Sequence, residues 1–130
     1  MDEAALIQAA TAVRQRAYVP YSHFAVGAAV ATEIGIITGC NAENASYGLT
    51  LCAERNAIFS AIAQGAKQFT GLAVIADTAG PTAPCGACRQ VLAEFMAPES
   101  PVILTNLQGQ TQRTSVAALL PGAFTKGDLS

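Results

Sequence analysis

The chain has 130 residues, of which 52% are hydrophobic and only 12% charged, with a net charge of −2 and a pI near 5.2. Domains typically carry about 25% charge, so intrinsic disorder is excluded, and the acidic balance argues against non-specific binding to nucleic acid or anionic membranes. The length suits a single domain, 1–130, and so little charge leaves apolar surface that other copies of the chain are expected to cover.

Met1-Asp2-Glu3 is acidic and does not suit a signal peptide. Residues 3–16 place Leu6, Ala9, Ala10 and Val13 at helical spacing. Val19-Pro20-Tyr21-Ser22 breaks that helix. Phe24 to Thr32 reads as a strand, turns near Glu33 and Gly35, and returns to about Cys40 as the second arm of a hairpin. Asn41 to Gly48 is a polar loop. Thr50 opens a helix to about Gln64, with its hydroxyl as a cap and Gly65 as the stop.

Leu72–Ala76 is a fully apolar strand, and no pure apolar run in the chain is longer, far short of the ~18 residues that span a bilayer. A loop from Asp77 to Pro84 leads into a helix from Gly86 to about Ala97, ended by Pro98. Val102–Thr105 is a strand, Gln108–Ser115 holds a turn and a short fifth strand, and Val116–Leu120 forms one helical turn. Buried strands alternating with helices predict an α/β fold, a three-layer αβα sandwich on a mixed sheet of about five strands. Leu72–Ala76 and Val102–Leu104 should be parallel neighbours joined by a right-handed crossover.

Chemistry gathers in two segments, Cys52-Ala53-Glu54-Arg55 and Pro84-Cys85-Gly86-Ala87-Cys88-Arg89-Gln90, each at a predicted helix start after a loop. Clustered cysteines in a reducing cytosol bind metal or catalyse more often than they pair. Cys85 and Cys88 can reach one ion, and Cys52 supplies a third sulfur from the other helix. Three protein ligands leave one position open, which is the catalytic pattern for zinc.

Glu54, two residues past Cys52, can lie beside the metal without coordinating it and move protons. That layout matches the zinc-dependent nucleobase deaminases. Three thiolates around one divalent ion leave an excess of negative charge. Two helix N-termini would offset it, and Arg55 and Arg89 are candidate cations. A closed four-sulfur site would need Cys40, which is more simply a buried thiol. His23 reads as structural, Asp77 as a loop carboxylate, and Asn41 and Glu43 by residue type alone as turn residues.

The segments Tyr18-Val-Pro-Tyr-Ser-His-Phe-Ala-Val-Gly27, Gly39-Cys-Asn-Ala-Glu-Asn-Ala-Ser-Tyr47, the two cysteine segments and Leu120-Pro-Gly-Ala-Phe124 together resemble the small homotetrameric cytidine deaminases. The resemblance implies one zinc per chain on Cys52, Cys85 and Cys88, with Glu54 as proton shuttle. It implies a nucleoside substrate held by Phe24 and by the loop Asn41, Ala42, Glu43, Asn44, Ala45, Ser46 and Tyr47, with Asn41 and Glu43 on the ribose hydroxyls. The Ala53 amide and the Ala83 carbonyl would meet the base, and Arg55 a cysteine sulfur. Phe124, together with Tyr47, would reach a neighbouring subunit's site in a homotetramer.

The implied reaction is hydrolysis of cytidine and 2′-deoxycytidine to the uridines with release of ammonia, in a cytoplasmic enzyme with no nucleic-acid or membrane partner. Deamination of a nucleoside antibiotic, action on a polynucleotide and a non-catalytic zinc staple are the competing readings. Asn41 and Glu43 oppose the first, the acidic pI the second, and Glu54 with the open position the third.

Overall fold

A five-stranded sheet organises the chain in the computed structural model, which describes residues 2–129. Its strands are β1 (Val26–Thr32), β2 (Gly35–Cys40), β3 (Phe69–Ala76), β4 (Pro101–Asn106) and β5 (Thr111–Ser115), in the spatial order β2-β1-β3-β4-β5. The β1–β2 hairpin is antiparallel, as expected, and β3 and β4 run parallel with Leu72 opposite Val102. The helices are α1 (Glu3–Arg14), α2 (Ala53–Ala63), α3 (Gly86–Phe95) and the short α4 (Val116–Leu119). None is long and apolar enough to cross a membrane.

The side-chain alternation of a strand sorts the core into two layers. Ala29, Ala73, Ile75 and Ile103 face Leu6 and Ala10 of α1. Ala28, Val30, Leu72, Val74, Val102 and Leu104 face the other way, towards Ala57 and Ile58 of α2 and Leu92 of α3. The central strands are covered on both faces, which is why β3 reads as a continuous apolar run. The architecture is the expected three-layer sandwich.

Element ends depart from the sequence expectation where a polar side chain has a stronger partner elsewhere. α2 begins at Ala53, with Cys52 and not Thr50 as its N-cap residue. The Thr50 hydroxyl instead accepts from the Asn44 amide at 3.3 Å and steadies the preceding loop. β1 begins at Val26, leaving Phe24 outside the strand, because the Phe24 carbonyl and the Val26 amide are bonded to the Asn41 side chain. β3 begins at Phe69, three residues before the pure apolar run, since Phe69 is buried. α3 stops at Phe95, ahead of Pro98. Gly65 stops α2 as expected, at φ +97°.

One glycine sets the position of the α2 start. A Cβ built on Gly39 of β2 would lie 2.3 Å from the Ala57 amide nitrogen and 2.7 Å from the Ala53 carbonyl oxygen. The strand backbone therefore touches the helix backbone at the residue next to Cys52 and Glu54. Gly39→Ala is expected to push α2 outward, to cost about 1–3 kcal/mol as overpacking does, and to lower the affinity of the cysteine cluster for metal. Chemical denaturation and metal titration check this; wild-type values for both would show that the contact relaxes freely.

Candidate active site

Two loops deliver cysteines to the ends of two helices. Cys52 is the N-cap residue of α2 and Cys85 that of α3, and neither side chain makes a capping hydrogen bond. Cys88 lies in the first turn of α3 and is buried. The Cys52 and Cys85 sulfurs are 3.6 Å apart and the Cys85 and Cys88 sulfurs 3.3 Å apart. All three lie within 4.8 Å of one another and form a group that could hold a metal ion.

Zinc–sulfur bonds of about 2.3 Å in a tetrahedron set sulfurs about 3.8 Å apart, so this trio fits a zinc ion on one triangular face. Cys40 is outside the group and only partly buried, which removes the four-sulfur alternative and corrects its reading as a buried thiol.

The electrostatics favour thiolate at Cys52. Hydrogen bonding from the Cys88 thiol, then from Arg55 and Cys85, outweighs burial and holds Cys52 down at about 5. The same bond to Cys52, with burial, pushes Cys88 up. Both helix N-termini add positive potential. Arg55 Nη2 donates to the Cys52 sulfur at 3.4 Å, and Arg55 Nε is buried with no hydrogen-bond partner among the described residues. Arg89 does not share this task. Its Nε donates to the Pro84 carbonyl and its Nη1 to the Leu119 carbonyl, both at 2.9 Å. The fork of Arg89 is thus spent on fastening the turn before Cys85 to the end of α4.

Glu54 follows the helix start and is 4% exposed. Burial raises its carboxyl above the ordinary carboxylate range, which suits a group that must both accept and return a proton near neutral pH. It shares a cleft of about 160 Å³ with Phe24, Asn41, Cys52, Ala53, Ala83 and Cys85. Val26, Val74 and the buried Thr82 also line that cleft and were not singled out from the sequence. Val74 lies inside the apolar run of β3 and Thr82 in the loop before Cys85, where nothing in residue type sets either apart, whereas Val26 belongs to the Tyr18–Gly27 segment without standing out within it.

Asn41 is buried despite its turn-like composition. Its Oδ1 accepts from the Val26 amide at 2.9 Å and its Nδ2 donates to the Phe24 carbonyl at 2.8 Å. The loop beyond it is pinned on both sides: Ala42 and Leu51 exchange backbone bonds at 3.1 and 3.0 Å, and the Glu43 amide donates to the Tyr18 carbonyl at 2.8 Å.

Glu43 and Tyr47 line a second cleft of about 420 Å³ with Tyr21, Ser22 and Thr50. Asn44, Ala45 and Ser46 are exposed at its loop, where Asn44 Oδ1 accepts from the Ser46 amide at 2.9 Å. Phe124 lines neither cleft; its ring is exposed and its carbonyl accepts from Gln90 Nε2 at 2.8 Å. His23 is exposed and Asp77 is an exposed loop carboxylate.

The family described as the cytidine and deoxycytidylate deaminase zinc-binding region matches residues 1–104. A cytidine deaminase of Sporosarcina psychrophila is 56% identical over 131 residues, covering 100% of this chain and 96% of that protein. One from Halalkalibacterium halodurans is 53% identical over 131 residues, covering 100% and 99%. The crystal structure of cytidine deaminase from Burkholderia pseudomallei superposes with a TM-score of 0.91 at 55% identity, covering 95% of this chain and all of that one. These likenesses run through both cysteine segments and across the whole sheet, and they join the sulfur cluster and its buried carboxylate to a known lineage: the chain belongs to the cytidine deaminase family.

Proposed function

We propose that this chain hydrolyses cytidine and 2′-deoxycytidine to uridine and 2′-deoxyuridine, releasing ammonia. The single observation that carries the reading is the buried carboxylate of Glu54 beside three converging sulfurs, in a cleft that Cys52 and Cys85 also line. Cys52, Cys85 and Cys88 hold the zinc. Bound there, zinc would supply a Lewis acid that activates the attacking water.

Glu54 takes the proton of the attacking water and delivers it to N3 of the base; it then carries a second proton to the departing amino group. Microscopically one carboxyl serves as base and then acid, and burial suits it to both. The Ala53 amide, at a helix start whose first N–H groups have no intrahelical partner, holds the base oxygen. The Ala83 carbonyl accepts from the amino group. Phe24 stacks against the base, and Asn41 and Glu43 take the sugar hydroxyls. Arg55 draws charge from the Cys52 sulfur. The loss of cytidine absorbance in a zinc-replete sample tests the reading directly. A stable, zinc-loaded protein that leaves both nucleosides intact would reduce the site to a metal staple.

The chain works as one domain and, we propose, as a homotetramer in the cytosol. Its cysteines, kept as ligands, suit a reducing compartment. Tyr47, Leu49, Phe59, Ile62 and Phe124 are all exposed apolar side chains, and patches beyond several hundred Å² usually mark an interface. Phe124 of one copy closes a neighbour's site. Closed symmetry then completes every site with the same segment. Phe124→Ala is expected to lower kcat/KM by about 5- to 150-fold, as the loss of an aromatic–base contact does on nucleic-acid-binding surfaces. Kinetics and sedimentation equilibrium on the same samples check it. A fully active monomer would sink the shared site, and a tetramer indifferent to the substitution would remove the aromatic from it.

A further inference from the structure

The second cleft contains a carboxylate that the chain itself has almost saturated. Glu43 Oε1 accepts from the Tyr21 amide at 3.0 Å and from the Ser22 amide at 3.1 Å. Glu43 Oε2 accepts from the Ser22 hydroxyl. The oxygen of that hydroxyl in turn accepts from the Phe24 amide at 3.0 Å. A carboxylate offers about four lone-pair positions; the chain occupies three, and the one that remains is on Oε2.

The donors come from a bend that ordinary backbone does not make. His23 sits at φ +57°, a left-handed conformation uncommon for a residue with a Cβ. Its amide closes the bend on the Val19 carbonyl at 3.0 Å. Strained residues of this kind persist where the surroundings over-determine them, and they cluster at ligand sites. Here the bend brings two amides and a hydroxyl onto one carboxylate 21 residues further along the chain.

We infer that Ser22 is a positioning residue for nucleoside binding: its hydroxyl fixes the Glu43 carboxylate with one acceptor position left for a sugar hydroxyl, and the same oxygen ties down the chain at Phe24. This rests on the proposed role of Glu43 towards the sugar. Without the hydroxyl, Oε2 has no protein donor among the described residues, and the carboxylate, held only through Oε1, regains freedom to turn that binding must remove again. The hydrogen bond from Ser22, supported by the Ser22 and Tyr21 amides, also holds the carboxyl below the ordinary carboxylate range, so the acceptor stays ionised and bonds more strongly. The effect falls on binding and not on the proton transfers, because neither Ser22 nor Glu43 lines the cleft that holds Glu54.

Steady-state kinetics of the zinc-loaded full chain on cytidine and on 2′,3′-dideoxycytidine, which lacks both ring hydroxyls, test the inference. Ser22→Ala is expected to raise KM for cytidine by about 10- to 150-fold, the range of a lost hydrogen bond to a charged group, with kcat changed less than about twofold. On the dideoxy nucleoside it should change nothing. Ser22→Thr, which keeps the hydroxyl, should restore the cytidine KM. Equal losses on both nucleosides would make Ser22 only a scaffold for the Phe24 segment and overturn the inference, as would an unchanged cytidine KM. If the wild-type enzyme itself does not distinguish the two nucleosides, Glu43 loses its assigned role and the inference falls with it. If the wild type distinguishes them and Ser22→Ala is indifferent, the inference falls alone.

Discussion

Glu54→Gln is expected to keep the fold and the zinc and to remove nearly all turnover. The amide has almost the shape of the carboxyl, and it would sit in the same buried place, but it can neither take a proton from water nor return one to a leaving amine. A single general acid–base role is worth about 10²–10⁴-fold, and one residue here serves several transfers, so the loss in kcat should be at least that large. Substrate should still bind, since Phe24, Asn41 and the Ala53 amide are untouched. The measurement is kcat in samples whose zinc content has been verified. More than about a tenth of wild-type turnover would take Glu54 out of its role, because the smallest acid–base contribution already exceeds that.

Cys85→Ala should be as damaging, and by a different physical route. Cys85 is exposed, so removing its sulfur leaves no core cavity. A stability loss in this variant therefore measures metal linkage and not packing. With free zinc a hundredfold above its dissociation constant, the bound ion stabilises the native state by about 2.7 kcal/mol, and the variant should forfeit most of that. Activity should fall by more than the roughly 10–100-fold that follows loss of a mere second partner of a ligand. Chelator-treated wild type should melt where the variant melts. A variant that binds zinc tightly and melts with the untreated wild type would show that two sulfurs suffice.

Local periodicity carried much of this fold into view. The core positions of α1 follow helical spacing, and the pure run Leu72–Ala76 lies within a strand that is buried on both faces. Boundaries were less legible, because they depend on which partner a polar group finds. Thr50 has the chemistry of a helix cap, yet its hydroxyl is taken by Asn44, and α2 starts at a cysteine that caps nothing. The cysteine cluster was readable because its residues stand at helix starts, Cys85 and Cys88 three apart on α3 and Cys52 at the start of α2, one helix and one strand earlier. The work of Arg89 was not, since a guanidinium beside a metal ligand and one reaching the Leu119 carbonyl look alike in sequence. Ser22 lay in a recognisable segment, but its partner is 21 residues further along, and only the bend at His23 brings the two together.

The uncapped starts of α2 and α3 bear on how such a protein could be made more durable. An engineer following helix-capping statistics would select positions 52 and 85 first, because serine, threonine or aspartate there is worth about 1 kcal/mol at each helix and cysteine is not. In the metal-free chain both substitutions would firm up the helix ends, but they would abolish the metal site and with it the larger stabilisation that bound zinc gives. Stability and chemistry compete at the same two atoms, so hardening of this scaffold must be sought elsewhere, in loops and between copies.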